Sequence, residues 1–484
     1  MDTQRSVRPW SRRRFLHGLG GLGVVSVIAA CGQSSAPAKP AGDAKPAEGK
    51  PAAPVAPAQP AGAPTTAAAA KPKDADSLQT VPGVFNVWFN ANWNTVTDEK
   101  IGQSYVAWGQ QNGIKVEWQS IPGSPQVLAK QSASVAAGQP PEITNQNLVY
   151  WYTQGELADL KDIAGKFKDQ AGGMYPIGLA SLTANDGGVF GMPYGIDVWP
   201  PQWRIDLIGK VTGGKPFATW DQLIELGPKA QQPPKNFAIA FCLGHEGDTV
   251  NNFLSVAWSY GGRLNDEKGV PDIKNPANKA AIETIVRMWE AKIIPPDSFA
   301  QTVTSWNNET YQKGRGLMAI NPATIMGWLL VNDKELAENT GISAMPAGPA
   351  GSFTEGSSLG FNYFKKSKMA ERAPSALEHF VAPANMNEIS KAVEGRFVPV
   401  YRDQAKGDFW EKSKFAEMRL VAETGRDRNW PAPQQPWLAD VTNARFTVSD
   451  MLHKVINEKM RIEDAQEWAQ TEMMDSYAKT AKRA

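Results

Sequence analysis

Residues 188–206 read Gly-Val-Phe-Gly-Met-Pro-Tyr-Gly-Ile-Asp-Val-Trp-Pro-Pro-Gln-Trp-Arg-Ile-Asp, and they restrict the fold more than any other stretch. Phe190, Met192, Tyr194, Ile196 and Val198 alternate with small or polar residues, the period of an extended strand. Asp197 and Trp199 sit two apart, so both can project from one side of that strand. Pro200 and Pro201 cannot donate to a central ladder, so the chain has to leave its sheet there. A strand that carries an acid and an aromatic and then exits its sheet suits a hinge lined with ligand groups. It would equally serve as an edge strand with a surface acid.

The rest of the chain supports a multi-domain α/β reading. At 484 residues it exceeds one core, and the length suggests two or three domains. A net charge of +1 gives no field that would draw nucleic acid or another polyanion. The 17 tryptophans exceed ordinary packing needs. Each offers a flat apolar face and one N–H, so a surplus suits stacking on ligands, although large core filler accounts for many of them. Cys31 and Cys242 are the only cysteines, which provides no disulfide framework, and no Cys/His metal site or cofactor motif is expected.

Residues 1–31 have the layout of an export signal. Arg12-Arg13-Arg14-Phe15-Leu16 fits a twin-arginine pattern, and a short apolar segment too brief to span a bilayer follows. Ile28-Ala29-Ala30-Cys31 resembles a lipobox, in which Cys31 becomes the lipidated N-terminus. Residues 32–78 are nearly all Ala, Pro, Lys, Gly and small polar types and read as a disordered tether. The expected location is therefore the outer face of the cytoplasmic membrane, with contact through the N-terminal lipid alone.

The folded body begins near Val81. Strands are expected at 85–89 and 114–118 and near 237–241, and helices to about Asn112, over 126–137, 251–260 and 277–293 and near 449–457 and 462–477. Thr219 and Gln222 form a capping box. Strands alternating with helices argue for α/β layers, in which ligands gather at strand carboxyl ends, where Asn92-Trp93 and Asn145-Gln146 fall.

Several phrases recur in an order that resembles the family 1 solute-binding proteins of ABC importers, the maltose-binding-protein-like sugar receptors. They are Ala136-Ala137-Gly138-Gln139-Pro140-Pro141-Glu142, Gly191-Met192-Pro193, Gly314-Arg315-Gly316-Leu317-Met318 and Gly395-Arg396-Phe397-Val398-Pro399-Val400. The resemblance implies a two-lobed periplasmic-binding-protein fold with three interlobe crossing segments, near 194–200, 299–306 and 348–355. The lobes would be 79–195 with 305–348, and 196–304 with 349–484. It places Asn92, Trp93, Asn145, Gln146, Asp197, Glu246, Asn321 and Trp328 at or near the cleft. Trp199, Trp306, Ser357 and Trp430 are further candidates, with Ser358 beside them. Planar amides and carboxylates suit sugar hydroxyls, and aromatic rings suit sugar C–H faces.

The implied function is a monomeric, non-enzymatic receptor that captures a carbohydrate and delivers it to ABC permease subunits. Asp197 would face the cleft and be removable without loss of fold, whereas Asp186 would lie outside it. Two other classes stay open. Asp197 and Glu246 could be the carboxylate pair of a secreted glycosidase, or the cleft could take a polyamine or another non-sugar solute.

Overall fold

The computed structural model describes residues 79–92, 95–121, 125–302, 305–393 and 395–481. The export signal, the tether, Cys31 and Trp93 lie outside the described residues.

The first sheet is built on Phe85–Asn90 (β1), buried on both faces through Phe89 as a central parallel strand requires. β1 pairs in parallel with Val116–Ile121 (β2) and with Ile143–Thr144 (β3). The helix Thr95–Asn112 connects β1 to β2, and Gly102 lets it approach closely, because a Cβ there would stand 2.2 Å from the Trp118 ring. Gly113 ends that helix at φ +67°, a conformation that favours glycine. β2 starts two residues later than the alternation of 114–118 suggests.

Met192–Val198 (β4) is buried along its whole length. It pairs antiparallel with the last strand of the chain, Gly356–Tyr363 (β8), which also pairs with β3. The order in this sheet is β2-β1-β3-β8-β4. β4 ends at Val198, and Pro201–Arg204 (β5) lies in a second sheet between Met318–Ile320 (β6) and Thr340–Ile342 (β7). The chain thus leaves its sheet at the two prolines, as their missing donors require. Residues 237–241 form no strand of their own but make isolated bridges at Phe237–Gly316 and Ala240–Ala319. Thr219 caps its helix by accepting from the Gln222 N–H at 3.0 Å, and Gln222 reaches back to the N–H of Ala218.

Each sheet has its own core. Phe85, Val87, Tyr105, Phe361 and Phe380 anchor the first lobe. Trp220, Phe253, Trp258, Ile285, Trp437 and Leu452 anchor the second. A third apolar cluster joins Ile196, Val198 and Val398 to Cys242, Ala319 and Tyr311, so the base between the lobes is packed.

The boundaries differ from the expectation. Residues 305–348 hold β6 and β7 and belong with β5 in the second lobe, because their backbone donors and acceptors pair there. β8 lies in the first sheet, and residues 373–401 pack on the first core, so 349–484 is not one lobe. The crossing expected at 299–306 is likewise absent from the described residues. Pro296–Ala300 is a 3-10 turn, and the helix Trp306–Gln312 packs beside β6. The third crossing is instead the run around 425–430.

The three crossings lie side by side. Trp199 N–H donates to the Glu355 carbonyl at 2.9 Å, and Gly356 N–H donates to the Arg426 carbonyl at 3.0 Å. Among the described residues, no helix is long and apolar enough to cross a membrane.

Candidate functional site: a cleft floor at the lobe crossings

A cavity of about 310 Å³ opens where the crossings meet the first lobe. Asn90 reaches it from the end of β1, Asn145 from just past β3, Ser181 from a helix end, and Ser357 and Ser358 from the start of β8. The third crossing adds Asp427, Arg428 and Asn429, and the second lobe adds Gln434 and Gln435. Leu148, Val149, Leu182, Phe190, Leu359 and Leu438 also line it, so the wall mixes amides and hydroxyls with apolar groups, one guanidinium and one carboxylate.

The first-lobe side is held by a polar network at the carboxyl ends of β1 and β3. Asn145 Oδ1 accepts from the Asn90 N–H at 2.6 Å, and its Nδ2 donates to the Tyr194 hydroxyl at 3.2 Å. Burial pushes the Tyr194 phenol well up, so it is neutral at any ordinary pH. Asn92 is 2 % exposed and donates its side-chain N–H and its backbone N–H to Asp98 Oδ1, which fixes the start of the first helix.

Asp197 forms a buried ion pair with Arg396 at 2.6 Å, and the two side chains are 10 % and 6 % exposed. Arg396 also donates to the Asn92 carbonyl at 3.0 Å. Gly195, two residues before Asp197, has no side chain because the Phe397 ring lies 2.6 Å from where its Cβ would be. That packing seats the Arg396–Phe397 turn against β4. Asp197 is thus a structural partner of Arg396, which argues against removing it without cost to the fold.

The hinge side carries a second ion pair, from the partly exposed Arg428 on the third crossing to the fully buried Glu355 on the second, at 3.2 Å. Arg428 also donates to Asn251 Oδ1 at 2.9 Å, which ties both crossings to the second-lobe helix Asp248–Ser259. Glu355 Oε2 is buried without a hydrogen bond. Burial raises the Glu355 carboxyl to about 7, with the Arg428 charge opposing. Asp427 Oδ1 accepts from the Asn429 backbone and side chain and from Gln434, and burial raises its pKa as well. Across the cleft, Asn185 and Gln435 exchange hydrogen bonds of 3.2 and 2.8 Å, a direct amide contact between the lobes.

The structure brings Asn145, Ser357 and Ser358 to the cavity wall, while the other expected residues that are described lie elsewhere and Trp93 is outside the described residues. Gln146 is buried and donates to the Ile121 carbonyl at 3.3 Å. Trp199 is packed in the second core, and Trp306 is 7 % exposed with its N–H toward Asp297. Asn321 accepts from Asn307 at 3.0 Å and donates to Thr324 at 2.9 Å. Trp328 stands 38 % exposed on the helix Thr324–Asn332. Trp430 rests against the second core with a guanidinium over its ring.

Glu246, Asp248 and Cys242 do form a cluster whose donor atoms lie within 4.8 Å of one another. Both carboxylates have hydrogen-bond donors within the protein. Glu246 accepts from the Asp248 and Thr249 donors, and Asp248 accepts from Asn307. Burial pushes the Cys242 thiol up, which opposes thiolate formation. The arrangement is a satisfied polar core.

Sequence reasoning missed Ser181, Asp427, Arg428, Asn429, Gln434 and Gln435. The signal was present in Arg426-Asp427-Arg428-Asn429, a dense charged and amide run just before Trp430-Pro431. A crossing placed at 299–306 drew attention from it.

Residues 90–386 match the family profile of bacterial extracellular solute-binding proteins. The chain belongs to that family. Among solved structures of this fold, maltose-bound MalE3 of T. maritima is 19 % identical with a TM-score of 0.67, covering 80 % of this chain and 98 % of its own. A sugar transporter from Arthrobacter chlorophenolicus with bound laminaribiose is 15 % identical at a TM-score of 0.66, covering 81 % and 99 %. A solute-binding protein from Agrobacterium radiobacter in complex with ribitol is 16 % identical at 0.66, covering 81 % and 98 %. The family's members are solute receptors rather than enzymes, and its two-lobed architecture is the one seen here.

Proposed function

We propose that this protein is a lipid-anchored receptor that captures a carbohydrate in its cleft and delivers it to an ABC importer. The observation that carries the reading is the composition of the cavity wall. Side chains from the first lobe, the second lobe and the crossings contribute to it, and its amides and hydroxyls stand beside an apolar set that includes Leu148, Leu182, Phe190 and Leu438. Amides and hydroxyls pair with sugar hydroxyls, and a ligand touching both lobes favours the closed arrangement. The maltose, laminaribiose and ribitol bound to proteins of the same fold point the same way.

The twin-arginine pattern and Cys31 supply export and the anchor, and the tether keeps the body within reach of a permease. The receptor acts as a monomer and needs no cofactor. A glycosidase would need Asp197 and Glu246 free to act on substrate, yet Asp197 is paired with Arg396 and Glu246 is held by its own loop.

A thermal-shift screen over neutral and acidic sugars, peptides and polyamines tests the reading. A sugar at 100 times its Kd should stabilise the protein by about 2.7 kcal/mol. Release of shortened sugar would reassign the protein as an enzyme, and stabilisation by polyamines alone would reassign the solute. For the anchor, Cys31→Ser should leave the protein in the soluble fraction, and continued membrane association would refute the lipobox.

A further inference from the structure

Arg426 on the third crossing has no charged partner. Its guanidinium carbon lies 3.5 Å from the centre of the Phe353 ring and 3.7 Å from that of Trp430. Phe353 flanks the second crossing and Trp430 the third, and both rings pack on the second-lobe core. Every other described arginine has a carboxylate or carbonyl acceptor within reach. The Arg426 side chain has no hydrogen bond or ion pair among the described residues, and neither has the indole N–H of Trp430. Loss of water alone pulls its pKa down, to about 10.

A cation half-removed from water without a counter-charge is stabilised when an anion arrives. Two rings at stacking distance cover the guanidinium faces, so its N–H edge is the route to a partner. That edge is a planar fork matched to a carboxylate, which it holds with two parallel hydrogen bonds. The position also fits a ligand subsite, because the next three residues, Asp427, Arg428 and Asn429, line the cavity.

We propose that Arg426 is an anion-binding position beside the cleft floor, taking the carboxylate of an acidic sugar such as a uronic acid. The anion follows from Arg426 itself, whereas its attachment to a sugar rests on the function proposed above. The Phe353–Arg426–Trp430 stack orients the fork, and the amides of the cavity take the hydroxyls of the same ligand.

Calorimetric titration of the full chain with matched pairs separates the possibilities: galactobiose and digalacturonate, mannobiose and dimannuronate, glucose and glucuronate. Sodium acetate and inorganic phosphate serve as free anions. In at least one pair the acidic member should bind tighter, by about tenfold or more for one charged hydrogen-bonding partner. Added salt should shrink that advantage.

Arg426→Met should erase the advantage while leaving the neutral member's affinity within about twofold, a shift of under half a kcal/mol. Arg426→Lys, which keeps the charge and loses the fork, should retain part of it and guards against a Met variant that fails to fold. Three results would overturn the proposal. One is an acidic member that binds no tighter than its neutral partner in every pair that binds. Another is an Arg426→Lys variant with the full wild-type preference. The third is acetate or phosphate binding as tightly as the acidic sugar, which would make this a free-anion site. Binding by no sugar of either kind would instead strike at the carbohydrate reading, and this assignment would fall with it.

Discussion

Two ion pairs flank the cleft, one buried and one with its arginine partly exposed, and they differ in what surrounds them. Asp197–Arg396 lies within the first lobe, and its arginine has a second acceptor in the Asn92 carbonyl. Glu355–Arg428 joins two crossings, leaves one carboxylate oxygen unpaired, and sits where Asp248, Asp427 and Asp197 all act on its charges. The first pair is a brace between a strand and a turn. The second is a crowded group of acids held by one guanidinium, at the crossings between the lobes. Pairs of the same chemistry can therefore differ in cost according to whether the surviving partner could shed its charge.

The largest effect should come from the brace. Asp197→Ala strands Arg396, which cannot deprotonate, and should cost about 3–5 kcal/mol at any pH near neutral. Urea unfolding of the unliganded protein measures it. Asp186→Ala is the control, because Asp186 is exposed and accepts only from Tyr152 and the Gly188 N–H, and it should change stability by under about 0.5 kcal/mol. Equal stabilities for the two variants would remove the contrast.

Arg428→Met should cost less, and its cost should depend on pH. Glu355 can take up a proton once its partner is gone, so the loss should be about 1–3 kcal/mol at pH 8 and smaller at pH 5. Losses of the same size at both pH values would show that Glu355 does not relieve the charge.

Glu355→Gln tests the same asymmetry from the other side. The wild-type carboxyl titrates near 7 in the folded state, above the ordinary value of about 4.3. The folded protein therefore holds a proton that the unfolded chain releases between those values. The stability this contributes is present below about pH 4 and is lost as pH rises through about 7. The Gln variant should show a smaller fall in unfolding free energy between pH 5 and pH 8. Part of the fall should remain, because burial also raises Glu246, Asp248 and Asp427. An unchanged slope would place the titration elsewhere.

The smallest effect is expected at Trp328, outside both pairs. It is 38 % exposed, so Trp328→Ala should alter stability by no more than about 0.5 kcal/mol. A loss of several times that size would mean that its ring is covered.

The local elements were legible in the sequence because their causes are local. Period-two alternation marked β4, Gly113 marked a helix end, and Thr219 with Gln222 marked a helix start. Pro200 and Pro201 fixed where the chain leaves its first sheet, since a residue without an N–H cannot continue a ladder. Local spacing and composition also indicated an α/β protein of more than one lobe.

Which segments return to which sheet was decided only in three dimensions. β8 could have extended either lobe on its own pattern, and its pairing with β3 and β4 sets the first sheet and moves residues 305–348 to the second. Ion-pair partners are similarly non-local. Asp197 reads as a ligand group until Arg396 is found beside it, and Arg428 carries no signal of Glu355. Charges interact through distance and dielectric, and neither is encoded in the order of residues along the chain.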